Sequence, residues 1–256
     1  MSRQIQKDSI IISAWPETPV SAVGMWYDAV PKLLGILKNG YYNAGHAAAV
    51  LVNHKTKKLH YFDFGRYHMP QKYGRVRDEQ SDPGLKIPFD AIISDDNKLL
   101  NINEILLFLN SNKECHGKGV LYASVLENIS FEKAYKFAKG LQNADVVNYG
   151  PYDLKGSNCS RFIASLAKAG NPKRKIKFRL AAPLLFTPMP KGNVVACNSE
   201  YYSVLHQKIE KRNVNFFDLL KNFVIPYISI KNKRKNETEF QHQANQIQFQ
   251  NAETHA

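Results

Sequence analysis

The sequence has few cysteines and shows neither a secretion signal nor a membrane span. Its three cysteines, Cys115, Cys159 and Cys197, lie far apart, without the close pairs of a zinc ribbon or a thioredoxin-type site. The first thirty residues lack a basic stretch followed by an apolar core and a cleavage site, and no apolar run of about 18 residues occurs. We therefore expect reduced thiols, a cytoplasmic location and no transmembrane segment. Secretion by a route that needs no signal peptide stays open.

Motifs of several other enzyme classes are also missing. The sequence contains no Gly-x-Ser-x-Gly elbow, no phosphate-binding loop with Gly-Lys-Ser/Thr and no His-Glu-x-x-His. Cys115 and His116 are adjacent but have no partner pair at the spacing of a zinc site. We expect neither a metal nor another cofactor.

Acidic residues are outnumbered, since 35 Lys and Arg stand against 22 Asp and Glu for a net charge of +13. The segment 231–256 contributes +1 of this charge, so +12 belongs to residues 1–230. A basic body attracts phosphates, anionic lipids or acidic substrates at long range, but bulk charge does not define a function. It favours a substrate with an anionic group, which the sequence does not identify. We expect no specific nucleic-acid partner.

The chain is long enough for one buried domain, which we place at residues 1–230, because 44% of all residues are hydrophobic. The segment 231–256 is rich in Gln, Asn, Lys and Glu, so we expect a disordered polar tail. The segment 65–88 is dense in Gly, Pro, Arg and Tyr, which predicts an ordered surface excursion more than a regular element.

Apolar periodicity and capping residues predict the regular elements. Strands are expected at 9–15, 46–52, 59–64 and 120–125, with 46–52 and 59–64 forming a hairpin. Helices are expected at 31–38, 104–109, 131–139, 159–169, 201–211 and 216–223.

The helix predicted at 159–169 has the clearest boundaries and begins with a cysteine. Ser157 or Asn158 occupies the N-cap position, and Gly170 follows the last turn. Cys159 therefore lies in the first turn, where free backbone amides and the helix dipole stabilise a thiolate. A cysteine in a helix is also commonly a small core residue, so this position alone does not decide its role.

His46 follows Gly45 at the start of an apolar strand, where an imidazole has little reason to pack. A base at a strand start that faces a nucleophile at a helix start is the papain-like arrangement, although His46 can also be a satisfied histidine at a strand edge. If the hairpin turn centres on 54–57, Ala48 faces Asp63, and Asp63 lies one diagonal step from His46 on the same face. Asp63 is then the first choice to orient the imidazole, and His60 is the second.

These segments resemble a known superfamily. Gly45-His46 opening a strand, and Asn158-Cys159-Ser160-Arg161-Phe162 later opening a helix, look like the circularly permuted branch of the NlpC-type papain-like superfamily. Two further segments resemble a bacterial family found mainly in Bacteroidetes: Tyr61-Phe62-Asp63-Phe64-Gly65-Arg66-Tyr67 and Tyr149-Gly150-Pro151-Tyr152. The resemblance spans roughly 46–170. It implies an α+β fold of the permuted papain-like kind, with an antiparallel sheet packed on the helix that bears Cys159.

The resemblance also implies thiol hydrolase or acyltransferase chemistry on an amide, ester or thioester, through a covalent acyl-enzyme. Cys159 would attack, and His46 would take and return the proton. The backbone amide of Cys159, with Tyr149 or Tyr152, would hold the oxyanion, although such tyrosines are often core or turn residues. A catalytically idle papain-like module that holds an anionic partner is the alternative.

Two subfamilies with the same order of histidine and cysteine differ from this sequence. Lecithin-retinol acyltransferase-like enzymes usually carry a membrane anchor and a second histidine near the first, whereas His60 is poorly placed here. Wall-cleaving bacterial members are usually exported, and no signal is seen. The arginines of the excursion are candidates to clamp a carboxylate or phosphate, or else form a solvated basic loop: Arg66, Arg75 and Arg77.

Overall fold

The computed structural model describes residues 8–21, 41–70, 72–144, 146–150, 156–181, 189–215 and 217–219. The strands in these ranges are β1 (Asp8–Trp15), β2 (Pro19–Ser21), β3 (Tyr41–Asn43), β4 (His46–Val52), β5 (Leu59–Gly65), β6 (Tyr73–Arg77), β7 (Leu121–Ile129), β8 (Val147–Asn148), β9 (Glu200–Leu205) and β10 (Lys208–Asn213). The α-helices are α1 (Ile102–Ser111), α2 (Phe131–Gln142), α3 (Cys159–Ala169), α4 (Arg174–Ala181) and α5 (Pro190–Cys197).

One antiparallel sheet organises the fold. Its strand order is β10-β9-β7-β1-β4-β5-β6-β8, while β2 and β3 form a separate pair. The central strands β1 and β4 are buried along almost their whole length, which explains why both read as continuous apolar runs. An α+β architecture with an antiparallel sheet, as expected, is therefore confirmed.

The alternation of side chains along the strands divides the core into two layers, one on each face of the sheet. Ile10 and Ile12 of β1 face the layer formed with α2, α3, α4 and α5. Ile11 and Trp15 face the layer that α1 and the segment 85–91 cover. His46 and Cys159 approach from opposite layers. They can therefore meet at the N-terminal end of β4, where His46 is the first residue.

Several local predictions are confirmed. β1, the hairpin of β4 and β5, and β7 occupy the predicted segments, and Ala48 pairs with Asp63 as the hairpin argument required. α3 has the predicted bounds. α2 begins after Ser130, as predicted, but continues through Gly140 to Gln142.

The helix predicted at 201–211 is wrong, because this segment forms the hairpin of β9 and β10. His206 and Gln207 connect the two strands, and both have positive φ, 44° and 66°, a geometry of tight hairpin turns. Pairing of β9 with β7 buries Tyr201 and Val204 and decides the outcome. Of the helix predicted at 216–223, residues 217–219 are described and are helical.

The excursion 65–88 contains a regular strand, contrary to expectation. β6 pairs with β5 on one side and with β8 on the other. Arg75 and Arg77 alternate with Val76 along it, and their charges are matched by Asp82 and Asp63, which permits a buried strand so rich in arginine. The helix predicted at 31–38 and the tail predicted at 231–256 lie outside the described residues.

Candidate active site

The start of α3 positions the sulfur of Cys159. Asn158 is the N-cap, and its side-chain oxygen accepts a hydrogen bond of 2.9 Å from the backbone N–H of Arg161. Cys159 is therefore the first residue of the helix, and 9% of its surface is exposed. Its thiol points at the carbonyl oxygen of Gly45, 3.9 Å from Sγ. The helix start and the start of β4 thus meet at the cysteine.

A glycine sets the position of His46. Gly45 has φ +78°, and a Cβ there would approach Cα of Pro16 to 3.0 Å and the carbonyl oxygen of Trp15 to 3.1 Å. The next residue, His46, pairs with Trp15 across the sheet, and the two rings stack with centroids 6.0 Å apart. This close packing of β4 on β1 fixes the plane of the imidazole.

Asp63 holds the imidazole from the neighbouring strand. Its Oδ2 lies 3.2 Å from Nε2 of His46, which is the hydrogen bond predicted from the hairpin register. Asp63 is fully buried, and the pKa of its carboxyl is held low: burial acts to raise it, but hydrogen bonds from His46 and Arg77 outweigh burial. An ionised carboxylate only accepts hydrogen bonds, so Nε2 of His46 carries a proton and donates it to Asp63.

The ring of His46 also interacts with Cys159, and its pKa reflects both neighbours. Burial acts to lower the pKa, but hydrogen bonds to the side chains of Asp63 and Cys159 raise it from 6.5 to about 9. At neutral pH the imidazolium is therefore the predominant form.

The sequence also matches the model of a known protein family. The model of the family described as type VI secretion system effector TseH-like matches residues 10–176, which include both Cys159 and His46. The chain belongs to this TseH-like family. No functionally curated protein is significantly similar to it.

A solved structure shares the fold of this TseH-like chain. The crystal structure of the type VI secretion system effector TseH superposes with a TM-score of 0.50 and 19% identity. The match covers 81% of this chain and 99% of the TseH chain. At this identity the likeness concerns the fold alone.

The other predicted site residues of this TseH-like chain lie in different places. His60 faces away from His46: its Nδ1 lies 2.9 Å from Oε1 of Glu79, and its ring packs against Phe131 and Tyr135. Adjacent residues of a strand point to opposite faces of the sheet. His60 and Asp63 are three residues apart on β5, so their side chains lie on opposite faces.

The three candidate arginines are engaged with protein groups. Arg66 donates to the carbonyl and hydroxyl oxygens of Ser21. Arg75 forms a two-pronged ion pair with Asp82. Arg77 is 2% exposed and donates through Nε and Nη2 to Asp63. Arg77 therefore contacts the orienting carboxylate.

Of the two candidate oxyanion tyrosines, Tyr149 lies among the described residues. The ring of Tyr149 stacks on Phe64, with centroids 5.9 Å apart, and the guanidinium of Arg66 lies 5.4 Å from its centroid. Tyr152 lies outside the described residues.

Sequence reasoning missed two tyrosines that share the acceptor of His46. The hydroxyls of Tyr61 and Tyr67 donate to Oδ2 of Asp63 over 2.9 and 2.8 Å, and that of Tyr67 also lies 3.4 Å from Nε2 of His46. Tyr61 precedes Asp63 by two residues on the same strand face, so alternation could have found it. Tyr67 follows the strand, and its ring lies where a Cβ of Gly65 would otherwise be.

Among the residues described, no group of three or more His, Cys, Asp or Glu side chains could hold a metal ion. Across the same residues, no helix is both long and apolar enough to cross a bilayer.

Proposed function

We propose that this TseH-like chain is a thiol hydrolase or acyltransferase of the permuted papain-like kind. The observation that carries the proposal is the hydrogen bond of the His46 ring with Asp63 at Nε2, together with Cys159, at the start of α3, among the groups that raise the pKa of that ring. Cys159 is the nucleophile, His46 the acid and base, and Asp63 the residue that fixes the ring.

The proposed reaction uses the proton of His46 twice. The thiolate of Cys159 attacks the carbonyl carbon of an amide, ester or thioester, and His46 gives its proton to the leaving group as the carbon–nitrogen, carbon–oxygen or carbon–sulfur bond breaks. The acyl group is then bound to sulfur. In the second half of the reaction, neutral His46 takes a proton from water or from another acyl acceptor. The activated acceptor attacks the thioester carbon, the carbon–sulfur bond breaks, and the thiolate of Cys159 and the imidazolium of His46 are regenerated.

The negative oxygen of each tetrahedral intermediate needs donors. The backbone N–H of Cys159 lies at the free N-terminus of α3 and is the first donor we assign. Tyr149 or Tyr152 would supply the second. Each such donor is worth about 3 kcal/mol of transition-state stabilisation.

Family membership changes how the missing signal peptide is interpreted. An effector of a type VI secretion system is exported by that system, so we propose that this chain acts outside the cell that makes it. The absence of a signal then does not argue against a bacterial wall substrate. An amide of a wall peptide is accordingly the first substrate to test, with esters and thioesters next.

The reactivity of the three cysteines tests the proposal. Burial raises the pKa of Cys115 to about 12 and also raises that of Cys197, so both thiols stay protonated at neutral pH. Iodoacetamide at neutral pH should label Cys159 at least tenfold faster than either, as measured by peptide mass spectrometry.

Two variants complete the experiment. His46→Gln should abolish the preference for Cys159, and Cys159→Ala should abolish release of peptides from isolated wall sacculi. Equal labelling of all three cysteines would contradict the catalytic pair and favour an idle module that only binds an anionic partner. Fast labelling without wall cleavage would reject the wall substrate and direct the search to esters and thioesters.

A further inference from the structure

The segment 156–199, which contains Cys159 and the helices α3, α4 and α5, carries charged side chains of one sign only. Between residues 156 and 199 the sequence contains no Asp or Glu. The cations of this stretch are concentrated just before and within α4: Lys173, Arg174, Lys175, Lys177 and Arg179. None of these five forms an ion pair with a carboxylate of the described residues. Within the part of the chain that the structure describes, no ion pair therefore balances their charge.

An aromatic side chain stands out of the same helix. Ile176 and Leu180, one turn apart, pack against the core of the helical layer. Phe178 lies about 200° around the helix from either one, and 78% of its surface is exposed. Arg174 and Lys175, four and three residues before it, are its neighbours on the outward face and are exposed too. The outward face thus presents one apolar ring beside two cations.

We propose that this outward face of α4 docks onto a bilayer containing anionic phospholipids. Cations on the polar face of a helix bind lipid phosphates, while an aromatic ring enters the boundary between headgroups and acyl chains. A single exposed phenylalanine on a convex helix suits this geometry. Single-stranded nucleic acids instead need a groove with several stacking rings.

The docking face is separate from the catalytic pair. Cys159 begins α3, whereas α4 begins after α3 has ended, and the 11 residues of α3 span about 16 Å. The docking face therefore belongs to a different helix from Cys159. The proposal does not depend on the chemistry assigned to Cys159.

Vesicle co-sedimentation of the full chain tests the proposal. Vesicles of phosphatidylcholine mixed with phosphatidylglycerol should bind the wild type, and vesicles of phosphatidylcholine alone should not. The double variant Arg174→Glu with Lys175→Glu should bind at least tenfold more weakly. Phe178→Ser leaves the charge unchanged and should weaken binding several-fold.

A charge-matched control separates this face from the basic body as a whole. Lys55→Glu with Lys86→Glu changes two exposed lysines elsewhere by the same charge and should bind like the wild type. Circular dichroism establishes that each variant is folded. Equal loss in the control, wild-type binding by Phe178→Ser, or no binding to the mixed vesicles would each overturn the proposal. Binding of a single-stranded oligonucleotide with the same dependence on Phe178 would reassign the face to nucleic acid.

Discussion

At the scale of single residues, four side chains donate hydrogen bonds to the carboxylate of Asp63. Tyr61, Tyr67 and Arg77 approach its Oδ2 to 2.7–2.9 Å, closer than the 3.2 Å of His46. A buried carboxylate is costly without such partners, and the hydrogen bonds from His46 and Arg77 offset that cost. Asp63 is therefore held in place independently of His46, which suits a residue that orients a ring during proton transfer.

The first prediction concerns the protonation of His46. Because Asp63 and Cys159 stabilise the imidazolium, its pKa should be about 9, and turnover should fall as pH rises through that value because the acid is lost. Asp63→Asn removes the negative charge and should lower the pKa. The same change should slow labelling of Cys159 by tenfold or more, on the order of 1.4 kcal/mol. An NMR titration of the histidine ring measures the pKa directly.

His60→Ala is the matched control for this prediction. His60 lies on the same strand but pairs with Glu79 on the other face, so its loss should leave both the titration of His46 and the labelling of Cys159 nearly unchanged. An unaltered His46 titration in Asp63→Asn would show that Asp63 does not orient the ring. A large effect of His60→Ala would instead favour a two-histidine site.

At the scale of elements, the N-terminus of α3 carries both a structural and an electrostatic role. The side chain of Asn158 caps the backbone amide of Arg161, and Cys159 lies in the same first turn, at the positive end of the helix dipole. An N-cap contributes about 1 kcal/mol to stability. Capping and the stabilisation of charge at the sulfur can be tested separately, because an aspartate caps a helix as asparagine does but adds a negative charge.

The second prediction uses this difference. Asn158→Asp keeps a capping oxygen, so the melting temperature should be retained, but its charge disfavours a nearby thiolate and should slow labelling of Cys159 several-fold. The hydroxyl of Ser130 caps α2 by accepting a hydrogen bond from the backbone N–H of Lys133. Ser130→Ala removes this cap and should lower the melting temperature without altering the labelling of Cys159. Labelling of Asn158→Asp at the wild-type rate would argue against activation by the helix terminus.

At the scale of the whole molecule, the sheet brings the site together from distant parts of the chain. His46 and Asp63 come from one hairpin, but Cys159 follows more than a hundred residues later on a helix of the other layer. The packing of α3 on β4 and β5 joins them, and Phe162 and Ile163 are buried in the core layer of α3. The site therefore exists only in the folded chain.

The third prediction concerns the C-terminal segment. Residues 231–256 have too little apolar surface to offset the entropy of ordering them, so their removal should change the melting temperature by no more than a few degrees. Removal of residues 200–256 also deletes β9 and β10, including buried Tyr201 and Val204, and should prevent stable folding. Calorimetry of both truncated chains provides the measurement. A large loss of stability in the shorter truncation would show that the segment packs on the domain.

Local pattern was sufficient for the elements whose signal lies within a few residues. The cap before Cys159 and the glycine after Ala169 were enough to predict α3. The two apolar runs around the turn at 53–58 were enough to predict the hairpin of β4 and β5. The hairpin register then followed from counting across the turn, and it placed Asp63 on the face of His46. The sequence alone thus identified the three residues of the proposed site and their order.

Tertiary structure decided everything that depends on partners far away in the chain. β6 looks too charged for a buried strand until Asp63 compensates Arg77, and 201–211 looks helical until β7 offers an edge to β9. Tyr67 reaches Asp63 only because Gly65 leaves room for its ring. Local propensity differs by fractions of a kcal/mol per residue between helix and strand, whereas burying one large apolar side chain contributes about 2 kcal/mol, so long-range contacts prevail wherever the two disagree.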